Sequence, residues 1–301
     1  MNTNLEIIKE QLAKEIKSIL CNEEIKIEYR TVIKNNDVKL QSITICTKKQ
    51  PVSPNIYIDD ILEDLLENNS QEKIEKAAYD IIVTYADAMR SKGNDYNHKL
   101  TTEYLKSRLY THSYIDIVNK EKNKQRLQNC PYIEYLDLAI TYKICVDTLE
   151  EGNATVLINN EMLKNFEISK EELHKIALAN SEKENIITKS MRQVILEITG
   201  FMDIGDNLPM YVIGNDTTLG VNMLYTYKGI KELADKLESD LIILPSSIHE
   251  IIAIEYDDCL TVTDLKEMVS SINIEKVPED EVLSDSVYVY RRENDYIELA
   301  S

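Results

Sequence analysis

At 301 residues the chain exceeds the length at which a single core usually stops growing, and 43% hydrophobic residues are enough to bury a sizeable core, so a wholly disordered chain is excluded. A net charge of −19 repels phosphate backbones and anionic lipid; this speaks against nucleic-acid and membrane-surface binding and suits a basic partner. Cys21, Cys46, Cys130, Cys145 and Cys259 are odd in number and widely spaced, without C-x-x-C, and read as reduced thiols of a cytoplasmic protein with no zinc site.

The chain opens MNTNLEIIKEQLAKEIKSIL, with Leu5, Ile8, Leu12, Ile16 and Ile19 at helical spacing. Charges interrupt it too often for the apolar core of a signal peptide, and no later run is long and apolar enough to span a membrane. A hairpin follows, with Ile25, Ile27, Tyr29, Thr31 and Ile33 on one face, the turn at Asn35-Asn36-Asp37, and a return strand from Val38 and Leu40. The apolar phase then slips to Ile43 and Ile45, which predicts a β-bulge at Gln41 or Ser42. After Pro51 and Pro54, Asp59 is placed to cap a helix with the apolar face Ile61, Leu62, Leu65 and Leu66. A longer helix carries Ile74, Ala77, Ala78, Ile81, Ile82 and Tyr85, and Ser91-Lys92-Gly93-Asn94-Asp95 reads as a linker.

In the middle third the pattern predicts a helix over 113–128, strands over 136–146 and 154–158 joined by a turn at 150–153, and a helix that Ser169 and Glu172 start at capping-box spacing. A further helix is expected over 186–198, stopping at Gly200, with 200–209 as a second linker. The last third predicts strands over 210–213 and 219–225 and a helix over 227–238. A buried strand over 241–244 and a second strand over 251–256 follow, around the turn Pro245-Ser246-Ser247-Ile248-His249-Glu250. Thr261 and Asp264 cap the next helix, and a strand over 287–290 leads into a polar tail. The resulting fold class is α+β, mainly antiparallel sheets with helices packed on one face, in two or three sub-domains with boundaries at 1–95, 96–205 and 206–301.

Four blocks and a tail motif carry a family resemblance. They are Asn35-Asn36-Asp37-Val38-Lys39-Leu40, Cys130-Pro131-Tyr132 leading into Leu136-Asp137-Leu138-Ala139, Pro209-Met210-Tyr211-Val212, Leu244-Pro245-Ser246-Ser247-Ile248-His249-Glu250, and Leu283-Ser284-Asp285 before Val287-Tyr288-Val289-Tyr290. Over nearly its whole length the chain resembles an uncharacterised bacterial family, domain of unknown function 5688. The resemblance implies one family-wide architecture and brings no activity, ligand or catalytic residue with it.

The turn at 245–250 alone places a serine pair, a histidine and a carboxylate within five residues. As chemistry it would make Ser246 or Ser247 a nucleophile, His249 its base and Glu250 an orienting acid. In an extended chain, however, Ser247 and His249 share a face and Glu250 takes the other, and no glycine supplies a nucleophile elbow. Hydrogen bonds that merely fix the turn explain the same residues. His249-Glu250-Ile251-Ile252-Ala253 lacks the second histidine of H-E-x-x-H. Gly214 to Gly220 lacks the lysine and hydroxyl residue of a phosphate loop, and Asp59-Asp60, Asp257-Asp258 and Glu279-Asp280-Glu281 lack calcium-loop spacing. Lys120, Lys122, Lys124 and Arg126, interrupted by Glu121, read as a solvated helix face.

No cofactor or metal is expected. The leading expectation is a non-catalytic protein-binding or regulatory protein whose exposed tyrosines, 18 against 2 phenylalanines, serve as anchors; exposure of Tyr288 and Tyr290 is the deciding observation. The alternatives are a hydrolase or transferase using Ser246, Ser247, His249 and Glu250, and a small-molecule sensor whose apolar pocket leaves no sequence signature.

Overall fold

The computed structural model describes residues 2–21, 24–46, 54–92, 101–149, 152–200, 210–215, 220–257 and 259–300. Over these it is an α+β protein with antiparallel sheets, and it divides into two compact units, Met1–Lys34 with Val38–Thr101, and Asn35–Asp37 with Thr102–Ser301. No helix among the described residues is long and apolar enough to cross a membrane.

The first unit holds α1 (Asn2–Ile19), strands β1 (Lys26–Ile33), β2 (Lys39–Cys46) and β3 (Ile56–Tyr57) in the order β1-β2-β3, then α2 (Asp59–Glu67) and α3 (Gln71–Lys92). Ile8, Leu12 and Ile16 recur every fourth residue of α1 and so form one stripe, which joins Ile43 and Ile45 of β2 and Ile74, Ala78 and Ile81 of α3 in one buried cluster. The expected bulge is absent: β1 and β2 pair without a break from Lys26↔Cys46 to Ile33↔Lys39. As the middle strand, β2 buries both faces. Ser42 and Thr44 are enclosed and return their hydroxyls to the carbonyls of Arg30 (3.2 Å) and Glu28 (3.4 Å), so the apolar phase changes without a change of register. Asp59 does not cap its helix, since Ile58 occupies that position; its carboxylate accepts instead from the Gln41 N–H at 3.0 Å. The expected linker falls on the end of α3 and on residues 93–95, which lie outside the described residues.

The second unit begins with α4 (Thr102–His112) and β4 (Ser113–Asn119), then α5 (Lys124–Leu127), β5 (Ile133–Tyr135), β6 (Leu138–Leu149), β7 (Gly152–Leu157), α6 (Asn160–Phe166) and α7 (Lys170–Ser181). It continues with β8 (Ile186–Ser190), α8 (Met191–Thr199), β9 (Met210–Asn215), α9 (Met223–Thr226), α10 (Ile230–Leu237), β10 (Leu241–Leu244), β11 (Ile251–Glu255), α11 (Val262–Lys276), β12 (Tyr288–Arg291) and β13 (Tyr296–Leu299). The long strand β6 carries β4 along one edge and β5 and β7 along the other, while the second sheet runs β13-β12-β10-β11-β9-β8. The tripeptide Asn35–Asp37 is counted with this unit, where Asn36 Nδ2 donates to the Val282 carbonyl at 2.7 Å.

One apolar cluster draws on both of these sheets and on α4, α7 and α10, from Leu105 to Ile297, so the described residues before and after position 205 in this unit share a core. Leu241, Ile243, Ile251, Ala253, Tyr288 and Tyr290 face it. The alternate residues Ile242, Leu244 and Ile254 face a smaller cluster with Leu265 and Val269 of α11. Tyr288 and Tyr290 are thus enclosed and form no exposed patch; the Tyr288 hydroxyl donates to Asp137 and the Tyr290 hydroxyl to Asp295 at 2.7 Å. Neither tyrosine is available as the exposed anchor expected of it.

Several expected elements differ. Residues 113–119 form a fully buried strand and not the start of a helix, because Tyr114, Ile115, Ile117 and Val118 put β-branched and aromatic side chains on both faces. Lys143 Nζ, 2.9 Å away, compensates the buried Asp116, and Ser181 Oγ covers the open edge by accepting from the Ile115 N–H at 3.0 Å. The helix expected over 186–198 is a strand followed by a helix. Ser190 and Gln193 form the capping box that starts α8, and Gly200 ends it at φ 72°. Of the strand expected over 219–225, residues 220–226 wind as a 3-10 turn and α9, burying Val221, Met223 and Leu224. The polar tail returns as β13, with Tyr296 opposite Arg291. Ser169 caps α7 by accepting from Glu172 N at 3.1 Å.

Candidate functional site

β10 lies between β11 and β12 with all four residues buried, so the turn that follows leaves from the centre of the sheet. Pro245 cannot continue the ladder, and the chain pairs instead with residues 281–284. Leu283 N donates to Ser246 O (2.9 Å), Ser284 N to Pro245 O (3.2 Å) and Ile248 N to Glu281 O (3.0 Å), with Ser247 opposite Val282. Ser247 is buried and its hydroxyl accepts from the backbone N–H of His249 at 2.9 Å, while Ser246 is half-buried. The His249 ring meets neither serine: among the described residues its partner is Glu281, Oε1 lying 3.4 Å from Nε2. Among the described residues Glu250 bonds neither the serines nor the His249 ring. The four sequence candidates therefore separate into two serines that tie the turn together and two side chains, His249 and Glu250, that line a cavity of about 360 Å³.

That cavity follows from strand register. Ile187 pairs with Gly214 and Lys189 with Val212, so these four share one face of β8 and β9, and extending the pairing of Ile251 with Ile213 brings Glu250 opposite Gly214. A Cβ placed on Gly214 would lie 3.8 Å from the Cβ of Glu250. Ile187, Val194 and Val212 give an aliphatic floor, Val194 coming from α8; Lys189, Asn215, His249 and Glu250 give a polar rim. Lys189 is held by Glu197 of α8 at 2.6 Å. Among the described residues the Glu250 carboxylate, which is exposed, has no ion-pair or hydrogen-bond partner. An apolar floor with a few polar groups at its margin can hold a ligand of mixed character.

A second cavity of about 380 Å³ is bounded by α4, β4 and the end of α7, with Tyr110, His112, Asn180, Lys183 and Glu184 in its wall. Burial first, and then the Arg108 charge, hold the His112 pKa below its ordinary value. Glu184 is pushed up by burial, against the opposing effect of amide donors from Asn215 and Asn222 and the charge of Lys228. The hydroxyl of Ser113 in this wall is enclosed and unpartnered among the described residues, out of reach of anything in the cavity. His174, outside this cavity's wall and half-buried, lies between the hydroxyls of Tyr142 (3.1 Å to Nδ1) and Tyr225 (3.3 Å to Nε2), and burial lowers its pKa.

Among the described residues no three His, Cys, Asp or Glu side chains converge to hold a metal ion. His249 to Ala253 lies mainly on β11, where the two ends of that segment cannot face one ligand as they would across a helical turn. Cys130 is buried and its thiol is pushed up by that burial, the opposite of an activated nucleophile. Residues 216–219 of the glycine-spaced segment lie outside the described residues, and 220–222 form the 3-10 turn. Sequence reasoning missed Ile187, Lys189, Val194 and Val212, which the chain supplies from about 40 to 60 residues before the turn. It also missed Glu281. Alternation within 186–190 was the one available signal.

Comparison with curated proteins and with solved structures finds no match to either. The model of a family of unknown function, DUF5688, matches residues 3–292, and the chain belongs to that family.

Proposed function

We propose that this chain is a non-catalytic binding protein of the bacterial cytoplasm, acting in regulation through the cavity beside His249 and Glu250, with another protein as its partner. One observation carries the reading: the Ser247 hydroxyl is buried in its own turn, 2.9 Å from the His249 N–H, whereas His249 and Glu250 open onto an aliphatic-floored cavity. A nucleophile withheld from the cavity argues for binding in place of acyl transfer. The acidic chain favours a basic partner through its long-range field. The test is recovery of a partner by three folded forms: wild type, Ser246→Ala with Ser247→Ala, and His249→Ala with Glu250→Gln. Equal recovery by the first two and loss by the third supports the reading; loss through the serine pair alone would sink it.

A hydrolase or transferase is favoured by one contact, the carboxylate of Glu281 against the His249 ring, since an acid orienting an imidazole is part of a general-base pair. That reading requires turnover of a p-nitrophenyl ester or another activated acyl donor by wild type, abolished in His249→Ala and in Ser247→Ala. Absence of such dependence removes it.

A further inference from the structure

We infer that the cavity beside Glu250 receives a basic side chain, lysine or arginine, carried by a partner protein next to an apolar residue. The inference rests on the reading of this cavity as a binding site and adds the chemistry of the occupant. Among the described residues the cavity wall holds one carboxylate, Glu250, and one lysine, Lys189, and that lysine is already held by a further carboxylate, Glu197. Glu281 is engaged by the His249 ring, which leaves Glu250 as the carboxylate free to take a new partner among the described residues. An anionic occupant would meet this local excess of acid and the field of a chain carrying a net −19.

The floor selects further. Ile187, Val194 and Val212 form an aliphatic bed beside Glu250, which suits the methylene stem of a lysine or arginine with its charged end at the rim. Ile198 follows Val194 by four residues on α8, hence on the same face, and is 78% exposed. The apolar strip therefore continues beyond the cavity, which a small amine would leave uncovered and an apolar residue flanking the basic one would cover.

The full-length ¹⁵N-labelled chain is titrated with the peptides acetyl-Ala-Leu-X-Leu-Ala-amide, X being lysine, arginine, glutamine or glutamate, and separately with n-butylammonium. The expected result is that the lysine and arginine peptides shift the amides of 187–189, 212–214 and 249–250 and bind more tightly than the glutamine and glutamate peptides. Glu250→Gln, at an exposed position that does not threaten the fold, weakens the basic peptides about two- to fivefold, and added salt does the same. Ile198→Ser weakens the peptides without weakening n-butylammonium. Equal binding by the glutamine and lysine peptides overturns the charge argument, and equal binding by n-butylammonium and the lysine peptide overturns the protein partner. If only the glutamate peptide shifts those amides, the occupant is misassigned while the binding reading stands. If no probe shifts them and partner recovery is indifferent to His249→Ala with Glu250→Gln, the binding reading itself fails.

Discussion

Gly229→Ala should unfold the second unit far more easily than Gly214→Ala, although Gly214 lies within β9 and Gly229 only packs against it. Gly229 precedes α10 at φ 74° and ψ −45°, outside the small left-handed region open to other residues, so a side chain there costs about 1–3 kcal/mol in backbone strain. Its Cβ would also stand 2.5 Å from Cγ2 of Ile186 and 3.0 Å from Cγ2 of Ile213. Ile213 is in the core and cannot yield cheaply, which adds about 1–3 kcal/mol of overpacking. The total, about 2–6 kcal/mol, is a large share of the roughly 5–15 kcal/mol of a typical domain, and lowers Tm on the order of 10 °C. At Gly214 the added Cβ meets nothing closer than 3.8 Å and φ is ordinary, so Gly214→Ala should change stability by less than about 1 kcal/mol. Urea unfolding followed by circular dichroism gives the midpoint shift at constant m, and amide exchange in β8 and β9 assigns it to this unit. A loss below about 0.5 kcal/mol in Gly229→Ala would refute the close approach of Gly229 to Ile186 and Ile213.

Ser247→Ala should cost about 1 kcal/mol in urea unfolding by freeing the His249 N–H, while leaving partner binding unchanged. Tyr288→Phe should cost about 1–2 kcal/mol, since Asp137 loses one donor but keeps the Ser286 hydroxyl at 2.9 Å and the Ser284 hydroxyl at 3.3 Å. The pH dependence has two opposed parts. His174, with its folded pKa below 6.5, contributes stability that is present above that value and lost as pH falls through the lowered one. Glu184, with its pKa above 4.5, contributes stability present below that value and lost as pH rises through the raised one. In pH-resolved denaturation, His174→Phe should therefore lose the acid-side dependence, and Glu184→Gln should gain on wild type as pH rises.

What the sequence revealed depended on how local the cause was. The i, i+4 stripe of Ile8, Leu12 and Ile16, the Ser169 cap and the four-residue run Leu241–Leu244 each state their structure within a few residues, and each is found as expected. Residues 113–119 and 186–190 failed because strand and helix readings of short apolar runs differ only in what tertiary partners they find. The position of Asp116 makes the point: a carboxylate in a buried strand looks wrong until Lys143 is placed beside it. The turn at 245–250 was conspicuous in the sequence, and His249 and Glu250 do line a cavity. Its floor was hidden because reading 186–198 as one helix concealed the alternation that puts Ile187 and Lys189 on one face. Glu281 was hidden because the pairing of 245–248 with 281–284 has no sequence signature.

The proposed function places binding at this cavity and gives the serines no chemistry. Isothermal titration of a recovered partner against the intact chain tests it most directly. The expected result is an unchanged Kd for Ser246→Ala with Ser247→Ala and about a tenfold weaker one for Val194→Ser with Glu250→Gln, the combined loss of one small apolar contact and one ion pair. An unchanged Kd for the cavity variant, or a loss of binding confined to the serine variant, would contradict it.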